Sequence, residues 1–275
     1  MKLGKKLMVV AMAVATIGLV GCNMNEDEFY MIDFDAPAGT ANINYTNLSD
    51  NQYTRGWRTF NSKHQDADCT IRFKKPSSNE SNGNMGYIFN MKKNDDKSIS
   101  FDVITVGYKK KDNKNFTQDG FYYYASRYEN VGKDYINGNL NNFADINGKV
   151  KGEKDSVVKE TALDGINSDK WTKLEIDVDG EGYYNVIIEL EWNTETNKFK
   201  VDISEAQLKD KSWEKKGRPK KTIENIEVLD EGNNSDDPQY PLGAYAMAIK
   251  GQTVEGDWIF TNFTKEPIVL EEIEF

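Results

Sequence analysis

The stretch Trp171–Trp192, WTKLEIDVDGEGYYNVIIELEW, decides the fold class. Leu174, Ile176 and Val178 alternate with Glu175, Asp177 and Asp179. Gly180-Glu181-Gly182 supplies a turn. Tyr184, Val186, Ile188, Leu190 and Trp192 then form a second apolar series, with Asn185, Glu189 and Glu191 between them and Ile187 as the exception. On a strand, neighbouring side chains point to opposite faces. One apolar and one polar face mark an antiparallel sheet with one side on a core. The stretch therefore reads as a hairpin.

The same alternation recurs on both sides of it. It appears in Cys69–Phe73, Met85–Met91, Ile99–Tyr108, Phe121–Tyr128, Phe199–Ile203, Tyr245–Ile249 and Trp258–Phe263. These segments are rich in Val, Ile, Tyr, Phe and Trp, and Gly, Asn and Asp gather between them. Strands in this number predict an all-β chain: a two-sheet antiparallel β-sandwich. Asn130–Lys170 and Glu214–Tyr240 are polar and predict long end loops. Short helices are expected only in Asp155–Leu163 and Ser204–Trp213. No internal repeat is visible.

Trp171-x-x-Leu174-x-Ile176-x-Val178, a glycine turn, a long apolar strand and Phe199-x-Val201-x-Ile203 resemble the middle of concanavalin A-like jelly rolls. Gly243-Ala244-Tyr245 followed by Asp257-Trp258-Ile259-Phe260-Thr261-Asn262-Phe263 is similar to the way such domains end. The resemblance spans about residues 53–264. It implies a jelly roll that binds carbohydrate or protein. Fold alone does not give function.

The N-terminus is of a different kind. Lys2, Lys5 and Lys6 precede an apolar run from Leu7 to Val20, the layout of a secretory signal peptide. At roughly 14 residues the run is shorter than the roughly 20 needed to span a bilayer. Leu19-Val20-Gly21-Cys22 resembles the lipobox of bacterial lipoproteins. That resemblance implies cleavage before Cys22, palmitate or other acyl chains on it, and export to the outer membrane or cell surface. Two or more acyl chains hold a protein stably to membrane. The expected division is a signal peptide at 1–21, a lipidated tether and extension at 22–52, and the β-sandwich domain at 53–275. The chain has 45 acidic and 35 basic residues, a net charge of −10, which disfavours nucleic acid as a partner. Aromatics at 12% argue for an ordered core.

Several residues could carry chemistry. Glu175, Asp177 and Asp179 resemble the Glu-x-Asp-x-Glu strand of laminarinase-type retaining glycoside hydrolases. The resemblance implies Glu175 as nucleophile, Asp177 as its modulator and Asp179 in the acid/base place, where the family has Glu. Such a mechanism needs carboxyl groups roughly 5–5.5 Å apart. Equally, the three could be the wet face of one strand. Phe121-Tyr122-Tyr123-Tyr124 with Arg127 and Tyr128 is a dense aromatic strand, and Tyr122, Tyr124, Arg127 and Tyr128 are candidate ligand-binding residues. Asp164, Asn167 and Asp169, and Asp236 with Asp237, could offer a calcium ion oxygen ligands. No other cofactor is implied. Lys215-Lys216-Gly217-Arg218-Pro219-Lys220-Lys221 could grip a polyanion or be a solvated loop. Cys69 reads as a buried thiol, and His64 stands alone in a polar segment. The expected function is a lipid-anchored, non-catalytic binding module for a glycan or extracellular protein. Its alternatives are the hydrolase and a structural envelope lipoprotein.

Overall fold

The computed structural model describes residues 40–49, 52–61, 68–77, 81–94, 99–112, 115–131, 159–165, 171–193, 195–210, 212–229, 239–248 and 252–261. The leader with Cys22, His64, Asn167, Asp169, Asp236 and Asp237 lie outside the described residues.

The chain is an all-β, two-sheet sandwich of jelly-roll type. One sheet runs β1 (Thr40–Ser49), β15 (Gln252–Thr261), β3 (Asp68–Lys74), β10 (Tyr183–Asn193), β11 (Lys198–Lys209) and β12 (Ser212–Lys215). To this eight-stranded sheet β13 (Lys221–Glu227) adds beside β11, and β4 (Ser81–Asn82) pairs parallel to β15. The seven-stranded sheet runs β2 (Gln52–Asn61), β14 (Gln239–Ala248), β5 (Asn84–Lys93), β6 (Ile99–Lys109), β7 (Gly120–Val131) and β8 (Lys159–Ala162). The short β9 (Thr172–Leu174) pairs with β7. Outer strands of the described chain meet in both sheets, β1 with β15 and β2 with β14. β1 falls within the stretch read as an extension.

Alternation builds the core as expected. Cys69, Ile71 and Phe73 of β3, Val186 and Ile188 of β10, and Val201 and Ile203 of β11 face Tyr87, Ile104, Val106 and Tyr123 of the opposite sheet. Rings interlock across the gap. Phe121 and Tyr184 stack at 4.8 Å, Tyr87 meets Phe260 edge-on at 5.4 Å, and the buried Trp258 Nε1 donates to Gly86 O at 3.1 Å. Offset and edge geometry is what ring quadrupoles favour. The Cys69 thiol is fully buried, and burial pushes its pKa up.

Two expectations need correction. The first is the hairpin Trp171–Trp192. Its arms do not pair as one ladder. β9 ends at Leu174 in the seven-stranded sheet, and β10 starts at Tyr183 in the other. Only a single bridge, Val178 to Tyr184, joins them. The alternation itself is real: Leu174, Ile176 and Val178 all pack against the core. An apolar residue at every second position therefore also describes a chain crossing the open side of a sandwich. The second concerns the two segments expected to be helical: the described part of Asp155–Leu163 holds the strand β8, and Ser204–Trp213 is not helical either. Ser204–Lys209 instead prolongs β11, and the chain returns as β12. Part of the polar Glu214–Tyr240 stretch is likewise strand. In β13 only Ile223 and Ile226 face the core, because Asn225 at φ 61° accompanies a shift in register that breaks the period of two.

At one end of the sandwich a polar clip joins the sheets. Asp102 on β6 is fully buried. Arg127 on β7 grips it with Nε at 2.7 Å and Nη2 at 2.9 Å. Arg127 and Asn90 both donate to Glu227 O, at 2.5 and 2.9 Å, and Leu229 N donates to Asn90 Oδ1 at 2.9 Å. Asn90 sits at φ 51° beside a register shift in β5, which turns its amide across the gap. Removing one member of such a pair leaves a buried charge alone. Arg127→Met is expected to lower stability by about 3–5 kcal/mol; urea unfolding monitored by tryptophan fluorescence checks this.

Candidate functional site

Crossing between sheets decides where the three carboxylates lie. Glu175 and Asp177 project into solvent on the crossover, and Glu175 pairs with Lys173 at 3.1 Å with its side chain 74% exposed. Asp179 is held differently. It accepts from Glu181 N at 2.9 Å, Tyr183 N at 2.8 Å and Asn185 Nδ2 at 2.7 Å. Burial raises its carboxyl pKa, but these hydrogen bonds outweigh it and hold it below the usual carboxylate range. So Asp179 organises the turn into β10, with Gly182 at φ 88°. The single strand expected to carry all three is absent, since β9 stops before Glu175.

The four ligand-binding candidates also separate. Phe121, Tyr123 and Ala125 of β7 face the core, so Tyr122, Tyr124 and Tyr128 share the outer face of the seven-stranded sheet. Arg127 points inward, to the clip with Asp102. The three tyrosines are not bare: each is at most 8% exposed. Phe116 meets Tyr122 edge-on at 5.1 Å, and the Tyr122 hydroxyl donates to Gln118 O at 2.8 Å. Glu160 of β8 gathers the rest. Its Oε1 accepts from the Tyr124 hydroxyl, from Ser126 Oγ at 3.2 Å and from the Tyr128 hydroxyl at 3.2 Å. Trp171, half-buried, lies against Tyr124 at 5.9 Å.

Beside Trp171 is a group of residues that alternation alone does not reveal. Asn84, Gly107 and Tyr122 form one cross-strand row over β5, β6 and β7. Gly107 leaves a dimple in that row. A Cβ there would stand 2.9 Å from Asn84 Oδ1 and 3.4 Å from Lys109 Nζ. Lys109, only 5% exposed, bends back into the dimple and donates to Asn84 Oδ1 at 2.5 Å. Its ammonium stands 3.9 Å from the centre of the Trp171 ring. Burial pulls the Lys109 amine down to about 7. In sequence, Lys109 looks like the solvated end of a strand. Only the cross-strand row shows it turned inward.

The outer face of the eight-stranded sheet is equally polar but already neutralised. Arg72 lies between Tyr183 at 4.4 Å and Trp213 at 5.4 Å, and pairs with Glu181 at 2.9 Å and Asp257 at 3.2 Å. Elsewhere on this sheet is an open depression of about 450 Å3 lined by Asp68, Glu189, Leu190, Glu191, Lys200, Asp202 and Lys215. Lys215 closes on Glu189 at 3.1 Å, and Lys200 on Glu191 and Asp202 at 3.2 and 3.0 Å. The basic run behaves likewise: Lys216 and Lys220 reach Glu205 at 2.7 and 3.6 Å. Of the expected calcium clusters only Asp164 is described, and it accepts from the Tyr123 hydroxyl at 3.0 Å. Among the described residues no three His, Cys, Asp or Glu side chains come together to hold a metal.

No family model and no curated protein matches the chain. Among solved structures it is similar to a legume lectin-like domain from Entamoeba histolytica. The identity is 12%, over 82% of this chain and 91% of that one, with a TM-score of 0.33. Peanut lectin with a 9mer peptide is 14% identical over 80% of this chain and 85% of its own, at a TM-score of 0.35. The VIP36 exoplasmic/lumenal domain, in its Ca2+/Man3GlcNAc-bound form, is 11% identical over 84% of each chain, also at 0.35.

The two kinds of carboxylate should respond differently to deletion. Asp179→Ala leaves two backbone donors and an amide without their acceptor and is expected to cost about 1–3 kcal/mol. Glu175→Ala removes an exposed pair and is expected to change stability by less than about 0.5 kcal/mol. Because the folded Asp179 carboxyl titrates low, its contribution is present above the unfolded value of about 4. It is lost as pH falls through the folded value. Urea midpoints of both variants at pH 7 and pH 3 check the contrast, and Asp179→Ala should lose less stability than wild type on acidification.

Proposed function

We propose that the chain is an exported lipoprotein whose sandwich binds glycans on the outer face of the seven-stranded sheet. One observation carries the reading. On that face aromatic rings, Trp171 on Tyr124, sit directly beside hydrogen-bonding groups of both signs, Lys109 and Asn84 on one side and Glu160 on the other. A pyranose offers C–H bonds to an aromatic face and hydroxyls at its rim, so its recognition needs both kinds of group together. Trp171 is less buried than Tyr122, Tyr124 and Tyr128, and so is the ring of the set that a ligand would meet first. The turn-bound Asp179 and the solvent-facing Glu175 support binding over hydrolysis.

Anchoring through Cys22 would hold this face at a membrane surface, where polymeric glycans are met. With residue 22 as Ser, the protein is expected in the soluble fraction of lysed cells, while wild type partitions with membranes; immunoblotting of the fractions checks this. For the site, the purified domain is applied to an array of neutral and acidic glycans. Trp171→Ala is expected to reduce the strongest signals at least tenfold with an unchanged far-ultraviolet spectrum. A wild type silent on the whole array would overturn the glycan reading, and a Trp171→Ala variant binding like wild type would move the site elsewhere.

A further inference from the structure

We propose that the dimple holding Lys109 and Asn84 is a subsite for a carboxylate borne on a sugar, so that the glycan taken by this face is acidic. The inference rests on the glycan-binding reading of the same face and names its ligand class.

An ammonium with no carboxylate among the described residues and an amide N–H2 with no acceptor lie on one cross-strand row. Lys109 is 5% exposed, yet no carboxylate among the described residues pairs with it. Its surroundings are Asn84 and Gly83 across the dimple, Gly120 and Tyr122 on β7, Trp171 over the ammonium, and Lys173 lying above Gly120. Of these only Lys173 is charged, and Glu175 pairs with it. The comparison with Arg127 is direct: that buried cation has Asp102. A buried charge is expected to be paired, and among the described residues this one meets no anion.

Asn84 points the same way. It is fully buried, and its Oδ1 is taken by Lys109. That contact fixes the amide with its Nδ2 turned away from Lys109 Nζ, and Nδ2 has no acceptor. An ammonium and an amide N–H2, one residue apart across Gly107, are met together by a group with two acceptor oxygens and a negative charge. A carboxylate has both. A hydroxyl lacks the charge.

Trp171 supplies the rest of the geometry. Its ring covers the ammonium on one side and leans on Tyr124. In uronic and sialic acids the carboxylate is bonded directly to a ring carbon. A pyranose laid against the Trp171 edge therefore has its carboxylate within one bond of the ring, at the depth of the dimple. Binding would also draw the amine, held near 7 by burial, back into its charged form. Affinity for the acid is then full below neutral pH and falls as pH rises through and above 7.

Calorimetry on the purified protein tests this with two matched pairs: trigalacturonate against its methyl ester, and sialyllactose against lactose, at pH 6 and pH 8.5. At least one acid is expected to bind tenfold or more tightly than its neutral partner at pH 6, with the margin shrinking about tenfold at pH 8.5. Lys109→Met and Asn84→Leu should each erase the preference to within twofold, while Lys109→Arg keeps most of it. The arginine variant guards against a simple folding defect, as do far-ultraviolet spectra of all three. Equal binding of acid and ester, or a preference that survives Lys109→Met, overturns the subsite. Neutral glycans bound through Trp171 with no gain from a carboxylate overturn the subsite and leave the glycan reading standing. Failure of every glycan, charged or neutral, removes both.

Discussion

A sandwich of two sheets depends on satisfying whatever polar groups it closes over. Apolar side chains from the two inner faces are interchangeable in kind, but a carboxylate in the gap is not. Asp102 is buried completely and is tolerated because Arg127 and Asn90 donate to it, both of them held in turn by Glu227 O at the end of β13. This cluster joins β5, β6 and β7 to the opposite sheet. It ties register in one sheet to position in the other, since each donor lies on a different strand. Trp258 does the same from the other direction, sending its indole N–H across to Gly86 O. Burial of the interlocking rings supplies most of the attraction, and these directional contacts select one alignment of the sheets.

The same rule separates the two outer faces. On the eight-stranded sheet Arg72, Lys200, Lys215 and Lys216 each have a carboxylate within 3.2 Å. The ionic groups of that face answer one another, although Thr70 Oγ1, Arg72 Nε, Asn185 Oδ1 and Ser204 Oγ have no hydrogen-bond partner. On the seven-stranded sheet, the Glu160 carboxylate is surrounded by hydroxyls, while among the described residues Lys109 meets no carboxylate and Asn84 Nδ2 no acceptor. Charge left unmatched under an aromatic cover is the feature on which the proposed ligand site rests. The functional reading follows from that asymmetry and not from the fold class, which hosts many activities.

Alternation in the sequence was a sound guide to faces and a poor guide to partners. It placed Cys69, Tyr87, Ile104, Val186 and Val201 in the core, and it gave the all-β class. It grouped Tyr122, Tyr124, Arg127 and Tyr128 as candidates for one site, yet on β7 the three tyrosines share the outer face and Arg127 takes the inner one. It could not distinguish the crossover Leu174–Tyr183 from a hairpin, because both need an apolar residue at every second position. Glu175, Asp177 and Asp179 look like an active-site strand in sequence for that reason. β13 escaped notice for the opposite reason: a residue at positive φ, Asn225, breaks its period.

What the residues determine alone is local and periodic: strand propensity, the face each side chain takes, and the polar segments that cannot enter a core. They also carry the linear pattern of residues 1–22 on which the proposed export and anchoring rest. Which strands become neighbours is settled only when the sheets close, because pairing depends on contacts between residues far apart in the chain. Lys109, Asn84 and Trp171 are separated by 25 and 62 positions and meet only through the row across β5, β6 and β7. Their burial, and the lack of an anion beside them among the described residues, are consequences of tertiary packing and of nothing written nearby in the sequence.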